Sequence, residues 1–161
     1  MNIELPTLNL PPYPFKISRK ETILYIFDEI RKKHLVLSPE EWVRQHFIKF
    51  LIHQKGFPAT LLQIEGGLKL LQRQKRSDIL AYSPTGQPLL LVECKAPSVT
   101  ISQATFDQAA RYNQVLQAPW IALSNGLDHY FAEIDFDQHK ISFLPDLPDY
   151  NSLNKKRDHF K

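Results

Sequence analysis

Residues 76–97 read RSDILAYSPTGQPLLLVECKAP, two hydrophobic segments separated by a turn. The proline and glycine of the central PTGQ favour a chain reversal. The sequence therefore predicts a hairpin with strands at about 76–83 and 88–96. The second strand is apolar on both faces as far as Val92, which predicts a central position in its sheet.

Two carboxylates are predicted to meet across this hairpin. If the four turn residues form the loop, Ser83 pairs with Pro88, and counting outward places Asp78 opposite Glu93. Facing Cβ atoms lie about 4.5–5.5 Å apart, where like charges destabilise the pairing. Such a pair needs a proton or a cation. Lys95 lies on the same face as Glu93 and supplies one positive charge, and a divalent cation with oxygen ligands would neutralise more.

This arrangement resembles the PD-(D/E)XK nuclease signature, in which an aspartate is followed after a hairpin by Glu-x-Lys. Ser77 stands where the signature has proline, a position that varies among such nucleases. Four segments together resemble the N-terminal nuclease domain of the restriction subunit of type I restriction enzymes, over roughly 38–133. They are Arg76-Ser-Asp-Ile, Val92-Glu-Cys-Lys-Ala-Pro, Gln108-Ala-Ala-Arg-Tyr112 and Ser124-Asn-Gly126.

The resemblance implies an α/β (α+β) restriction-endonuclease-like core, with a mixed sheet of about five strands flanked by helices. It also implies Mg²⁺-dependent hydrolysis of DNA phosphodiester bonds, with Mn²⁺ as a substitute ion. Asp78, Glu93 and the backbone carbonyl of Cys94 would hold the metal. Lys95 would orient the attacking water or stabilise charge on the phosphate.

A helix predicted over 102–117 carries Gln108 and Tyr112, which are four residues apart and share a face. The resemblance implies that this pair lies beside the active site and supports Lys95 or the nucleophile. The structural alternative is a half-buried tyrosine with a polar neighbour.

The segment Ser38-Pro-Glu-Glu41 predicts the start of another helix, which ends near Lys55. Glu41 has two interpretations that the sequence leaves open. It completes a capping box with Ser38, or it serves a second metal ion, as the resemblance implies.

Basic residues precede the predicted site. Lys69, Arg73, Lys75 and Arg76 form either an exposed hairpin tip or a set of phosphate contacts, and both interpretations stay open. For the earlier basic run at 31–34, a solvated connector is favoured over a phosphate contact.

The composition is that of one globular domain. The 161 residues are 43% hydrophobic, and the net charge of +3 permits a nucleic-acid partner without requiring one. A single cysteine excludes an internal disulfide. The sequence shows neither a signal-peptide pattern nor a membrane span. The resemblance implies a bacterial or archaeal cytoplasm as the compartment.

The chain divides into a proline-rich arm and strand (1–37), the nuclease domain (38–144) and a C-terminal tail (145–161). The arm is expected to lie over the surface or against a second copy, and Lys155 to Arg157 are expected to fray in solvent. Besides the hairpin, strands are predicted at 21–27, 61–71, 120–123, 127–134 and 140–144.

Other chemistries lack their motifs. The sequence has no Walker loop, dinucleotide fingerprint, nucleophile elbow or zinc-ligand spacing. The restriction subunits that it resembles carry an ATP-driven motor, so the expected partners are DNA and a separate ATPase/helicase or modification subunit. Cleavage of both strands of a duplex would favour a homodimer.

Two alternatives to the nuclease remain. One is a catalytically silent module that binds nucleic acid or a protein partner on the same scaffold. The other, a metal-binding domain unrelated to nucleic acid, has no specific feature in its favour.

Overall fold

Six strands after residue 61 form one sheet in the computed structural model of the chain, and two short strands within 69–74 pair separately. The structure describes residues 5–64 and 78–158, together with the backbone of 69–70 and 73–74. The elements in chain order are β1 (Ile17–Lys20), β2 (Ile23–Asp28), β3 (Lys33–Val36), α1 (Pro39–His53), β4 (Leu62–Ile64), β5 (Lys69–Leu70), β6 (Arg73–Gln74), β7 (Ile79–Tyr82), β8 (Pro88–Cys94), α2 (Gln103–Leu116), β9 (Trp120–Ser124), β10 (His129–Asp135), β11 (Lys140–Leu144) and α3 (Tyr150–Asp158).

The main sheet has the strand order β11-β10-β9-β8-β7-β4. The β8–β9 pair is parallel and the other pairs are antiparallel, so the sheet is mixed. A parallel pair needs a long crossover, and α2 supplies it. The predicted mixed α/β fold is confirmed, with six strands where about five were expected.

Helices cover both faces of this sheet. Val43, Phe47 and Leu51 of α1 pack with the even-numbered residues of β8, such as Val92. On the opposite face, α2 packs Phe106 and its neighbours against the odd-numbered side, such as Leu91. Among the described residues, no helix has the combination of length and apolar character that a membrane crossing requires.

The register of the central hairpin agrees with the prediction where the candidate site lies. The pairs Ile79–Val92, Leu80–Leu91 and Ala81–Leu90 are those obtained by counting outward from the turn. The predicted pairing of Ser83 with Pro88 is wrong, because the register shifts after Ala81 and Tyr82 faces Pro88. This bulge is confined to the turn end, so it leaves the other end of the hairpin in the predicted register.

The proline-rich N-terminal segment lies over the surface of its own chain. Asn9 N donates to Gly126 O at 2.7 Å, and Trp42 Nε1 donates to Pro6 O at 2.9 Å. Leu8 is buried, and its side chain lies 2.7 Å from the position of a Cβ on Gly126, whose φ is +86°. Both this close approach and the positive φ require glycine there. The arm leads into β1–β3, a separate three-stranded antiparallel sheet.

The C-terminal segment is helical where fraying was predicted. α3 buries Tyr150 and Leu153, which are three residues apart and form its apolar stripe. Tyr150 Oη donates to Tyr82 O at 2.9 Å, and Arg157 Nη1 donates to Pro88 O at 2.8 Å. The prediction that Arg157 frays is therefore wrong. The helix was not predicted because the segment is highly charged and its buried side contains only two large apolar residues.

The packing of α3 predicts that Leu153→Ala lowers the free energy of unfolding by about 2–5 kcal/mol, because Leu153 is only 1% exposed. Urea denaturation measures the change. Asn151→Ala, on the exposed side of the same helix, is the control and is expected to change stability little. Equal stability of the two variants would contradict the docking of α3.

Candidate active site

The candidate site forms where β7 begins and β8 ends. Because Ile79 pairs with Val92, the next pair outward joins Asp78 to Glu93. The backbone N–H of Cys94 donates to Asp78 Oδ2 at 2.6 Å, which fixes the aspartate against the end of β8. Asp78 and Glu93 therefore lie side by side, as the hairpin register predicted.

The pKa of Glu93 is raised in part by its proximity to Asp78. Burial raises it first, and the charge of Asp78 and a hydrogen bond with the Asp78 carboxyl raise it further, to about 8. Lys95 opposes the shift but does not cancel it. Near neutral pH the Glu93 carboxyl therefore tends to hold its proton, which its hydrogen bond directs toward Asp78.

Arg44 of α1 holds the other side of Asp78. Its Nη2 donates to Asp78 Oδ1 at 2.6 Å, and its Nη1 donates to Glu41 Oε2. The guanidinium is buried, which by itself lowers its pKa, but the Asp78 and Glu41 carboxylates raise the pKa above its ordinary value. The cation therefore remains charged inside the protein.

Sequence reasoning did not identify Arg44. The available signal was a charged residue inside the buried side of α1, directly after Val43 and three residues before Phe47. Buried arginines are rare unless they are paired, so this position indicated an acidic partner elsewhere in the chain.

Glu41 belongs to an ion network more than to a capping box. Ser38 Oγ accepts from the Glu41 N–H at 3.0 Å, so the helix cap is confirmed. The reciprocal bond of a capping box is not formed, because the Ser38 N–H donates to Val36 O at 3.0 Å. The Glu41 carboxylate instead accepts from Arg44 and, at 2.9 Å, from Arg31. Both of its oxygens thus have arginine partners.

Glu40, on α1, has a pKa that is shifted by charged residues of the candidate site. Its pKa is raised by burial and by the charge of Asp78, while Arg44 and Lys95 lower it. Arg44 Nη2 donates to Glu40 Oε1 at 3.3 Å. The sequence reasoning weighed Glu41 as a metal ligand and did not consider Glu40, its neighbour.

The predicted helix residues Gln108 and Tyr112 occupy different environments. Tyr112 is buried between α2 and the sheet, in the same cluster as Leu80 and Leu91, whereas Gln108 is exposed. After burial, the nearness of Tyr112 also raises the pKa of Tyr82, four residues along the chain from Asp78. The support of Lys95 by this helix pair stays a prediction.

The basic cluster before β7 is described only in part. Lys69 lies in β5 and Arg73 in β6, two short strands paired with each other. Their side chains, and the whole of Lys75 and Arg76, lie outside the described residues. Their contact with phosphate stays a prediction.

The oxygen donors of the site suit a hard divalent cation. Asp78 Oδ1 is occupied by Arg44, but Oδ2 accepts one backbone N–H and keeps an acceptor position beside Glu93. The proton that Glu93 holds beside Asp78 marks where a cation would be favourable. Within the described ranges, no cluster of three or more histidine, cysteine, aspartate or glutamate side chains is arranged for a metal. The Cys94 thiol is fully buried and its pKa is raised, so the carbonyl is the group that Cys94 offers.

Comparisons with known proteins agree with this architecture. A family model described as the N terminus of type I restriction enzyme R proteins matches residues 39–148. A solved structure, described as an HsdR-subunit fragment of a type I restriction enzyme from Vibrio vulnificus YJ016, has a similar fold, with a TM-score of 0.56 and 21% identity. The alignment covers 77% of this chain and 26% of that chain. A search of the curated proteins gave no match.

The pKa of Glu93 predicts a pH-dependent stability. A carboxyl whose pKa rises from 4.5 in the unfolded chain to about 8 in the folded one stabilises the fold fully below pH 4.5. That contribution is lost as the pH rises through 8. Thermal unfolding should therefore show Glu93→Gln gaining stability relative to the wild type between pH 5 and roughly 8.5. Glu21→Gln, in an exposed turn, is the control. A stability profile of Glu93→Gln that runs parallel to that of the wild type over this pH range would contradict the raised pKa of Glu93.

The pairing of Arg44 with Asp78 predicts a large effect of Arg44→Met. The substitution leaves buried carboxylates without their cation and should cost about 3–5 kcal/mol of unfolding free energy. Adding Asp78→Asn to Arg44→Met should restore part of the loss, because it removes the stranded charge. Denaturant titration measures both, with the exposed Arg111→Met as the matched control. A loss below about 1 kcal/mol would show that the pair contributes little.

Proposed function

The chain belongs to the family of type I restriction enzyme R protein N termini, and from this premise we propose that it is a Mg²⁺-dependent nuclease domain of the PD-(D/E)XK type. Its proposed reaction is hydrolysis of DNA phosphodiester bonds. The carrying observation is the adjacent pair Asp78 and Glu93, where the proton held by Glu93 indicates an excess of negative charge at a fixed position.

Asp78, Glu93 and the carbonyl of Cys94 would hold the Mg²⁺ ion, with Mn²⁺ as a substitute. The bound ion would polarise the scissile phosphate and lower the pKa of a water molecule. Arg44 fixes Asp78 through Oδ1, so the carboxylate does not need to reorganise when it acts. The charge of Glu93 in the active state would require loss of its proton.

Lys95 is the proposed partner of the reacting phosphate. Its positive charge opposes the rise in the pKa of Glu93 and of Glu40, so it lies near both carboxyl groups. An ammonium in that position would stabilise the negative charge that builds on the phosphate, or orient the attacking water. Gln108 and Tyr112 would support Lys95 from α2.

DNA is the proposed substrate, and a separate ATPase/helicase or modification subunit is the proposed partner. The sequence has no Walker loop, so any translocation along DNA would be driven by another subunit or another part of a longer chain. A nuclease that uses such a motor needs no sequence recognition of its own.

One observation favours the silent binding module. Arg44 donates to Asp78 Oδ1 through both Nε, at 3.2 Å, and Nη2. An arginine that neutralises the aspartate substitutes for part of the charge that a metal would bring. In the binding module, Arg44 would be the permanent partner of Asp78, and the scaffold would retain DNA affinity without cleavage.

The nuclease predicts metal-dependent cleavage of plasmid or single-stranded DNA that is abolished by chelator. Asp78→Asn, Glu93→Gln and Lys95→Ala should each reduce the rate by about a hundredfold or more, since each removes a charged group at the reacting centre. Gel electrophoresis measures cleavage, and circular dichroism verifies folding. Lys140→Ala, an exposed position on β11, is the control with full activity. DNA binding by the wild type without cleavage in Mg²⁺ or Mn²⁺ would favour the silent module, and a fully active Lys95→Ala would contradict the proposed site.

A further inference from the structure

The small sheet β1–β3 has one face toward the core and one toward solvent. Ile26 and Asp28 of β2 are fully buried, which places them on the core face. Because side chains alternate along a strand, Tyr25 and Phe27 lie on the opposite face. We call the surface formed there by β1, β2 and β3 the outer face.

Aromatic and apolar side chains line the outer face. Phe27 faces His34 across the β2–β3 pair, with ring centroids 5.0 Å apart. Tyr25 faces Val36 in the next row, and Val36 is 56% exposed. These aromatic and apolar side chains do not belong to the core, because other residues of the sheet form its core face.

Lysines border these rings. Lys16 lies next to Phe27, with its Nζ 5.7 Å from the ring centroid. Lys20 follows four residues later on the same face, and Lys32 lies exposed at the β2–β3 turn. Lys33 pairs with Asp28 and therefore lies on the core-facing side. The rings are thus adjacent to ammonium groups at both ends of the outer face.

The net charge of the chain is concentrated in this region. Residues 16–34 contain six lysines and arginines against three acidic residues, a net charge of +3. The whole chain also carries +3, so the remaining residues sum to zero. A concentrated positive charge attracts a polyanion in a way that the evenly mixed remainder does not.

The outer face also adjoins the candidate active site. A groove of about 330 Å³ runs between β3 and the start of α1. Val36 lines it from the outer face, and Glu40 and Arg44 line it from the candidate site. A chain bound to the outer face would therefore reach this groove at Val36, and the groove contains Arg44, the partner of Asp78.

We propose that the outer face of β1–β3 binds single-stranded nucleic acid. Unpaired bases stack on Phe27 and Tyr25, and the phosphates contact Lys16, Lys20 and Lys32. The half-buried rings of Phe27 and Tyr25 can stack only with bases that are not already stacked in a duplex, so the arrangement favours a single strand. The binding requires neither a metal nor the Asp78–Glu93 pair, so it goes beyond the proposed nuclease function.

Fluorescence anisotropy with a labelled oligothymidylate, in chelator so that no cleavage occurs, tests the proposal. Lys20→Glu with Lys32→Glu should weaken binding by about tenfold or more and make its salt dependence shallower. The matched control is Lys140→Glu with Lys155→Glu, which makes the same change in net charge at exposed positions on β11 and α3. The control should retain most of the affinity.

Phe27→Leu and Tyr25→Leu test the stacking separately, because leucine keeps an apolar side chain and removes the ring. Each should weaken single-strand binding by about tenfold, while a duplex of equal length should bind more weakly and respond less to these substitutions. Thermal unfolding verifies that at least one of the two variants is folded.

Three results would overturn the proposal. They are equal affinity of the two double lysine variants, indifference of single-strand binding to both ring substitutions, and absence of oligonucleotide binding. If sedimentation then shows a dimer that the Lys20→Glu/Lys32→Glu variant disrupts, the outer face is a protein interface instead. Failure of cleavage in Mg²⁺ would bear only on the nuclease, because the binding assay contains no free metal.

Discussion

The pairing of Asp78 with Arg44 is the interaction on which the candidate site depends. The hairpin register brings Asp78 beside Glu93, and two adjacent half-buried carboxylates cannot both stay ionised without a cation. Arg44 supplies a permanent positive charge from the opposite side of Asp78. Burial and the neighbouring charge of Asp78 raise the pKa of Glu93. The protein thus gives Asp78 a fixed arginine partner and leaves Glu93 able to exchange its proton for a cation.

Arg44 also connects the two sheets. It shares Glu41 with Arg31, and Arg31 Nε donates to the buried Asp28 of β2 at 2.8 Å. A continuous chain of charged groups therefore runs from the N-terminal sheet through α1 to Asp78. Each member is engaged on both sides, which fixes the start of α1 between the sheets. A nucleic acid bound beside β3 would meet a site whose position relative to that sheet is set by these ion pairs.

Most of the fold could be predicted because the signals for its turns, strands and helix starts lie in short stretches of sequence. The turn residues, the apolar run up to Val92 and the cap at Ser38 each act through neighbours a few residues away. The hairpin register also needed only counting, so Asp78 could be placed opposite Glu93. The bulge after Ala81 was not in the predicted register, which took the four residues 84–87 as the loop; in the structure Tyr82 faces Pro88, and Tyr150 of α3 bonds to Tyr82. The helix α3 itself was missed because its burial depends on that same distant contact.

The sequence by itself determined the strands of the main sheet, which carboxylates face each other and which family of nucleases the chain resembles, since periodicity, turn chemistry and motif spacing are properties of consecutive residues. Only the tertiary structure decided the partners of those carboxylates. Arg44 is 34 residues from Asp78 in the chain, and no local pattern specifies which acid a buried arginine will meet. The same applies to Glu41, for which the sequence offered a capping box or a metal site and which the structure pairs with two arginines. Long-range ion pairs are fixed by packing between elements, and for that reason they appeared only once α1 was placed against the sheet.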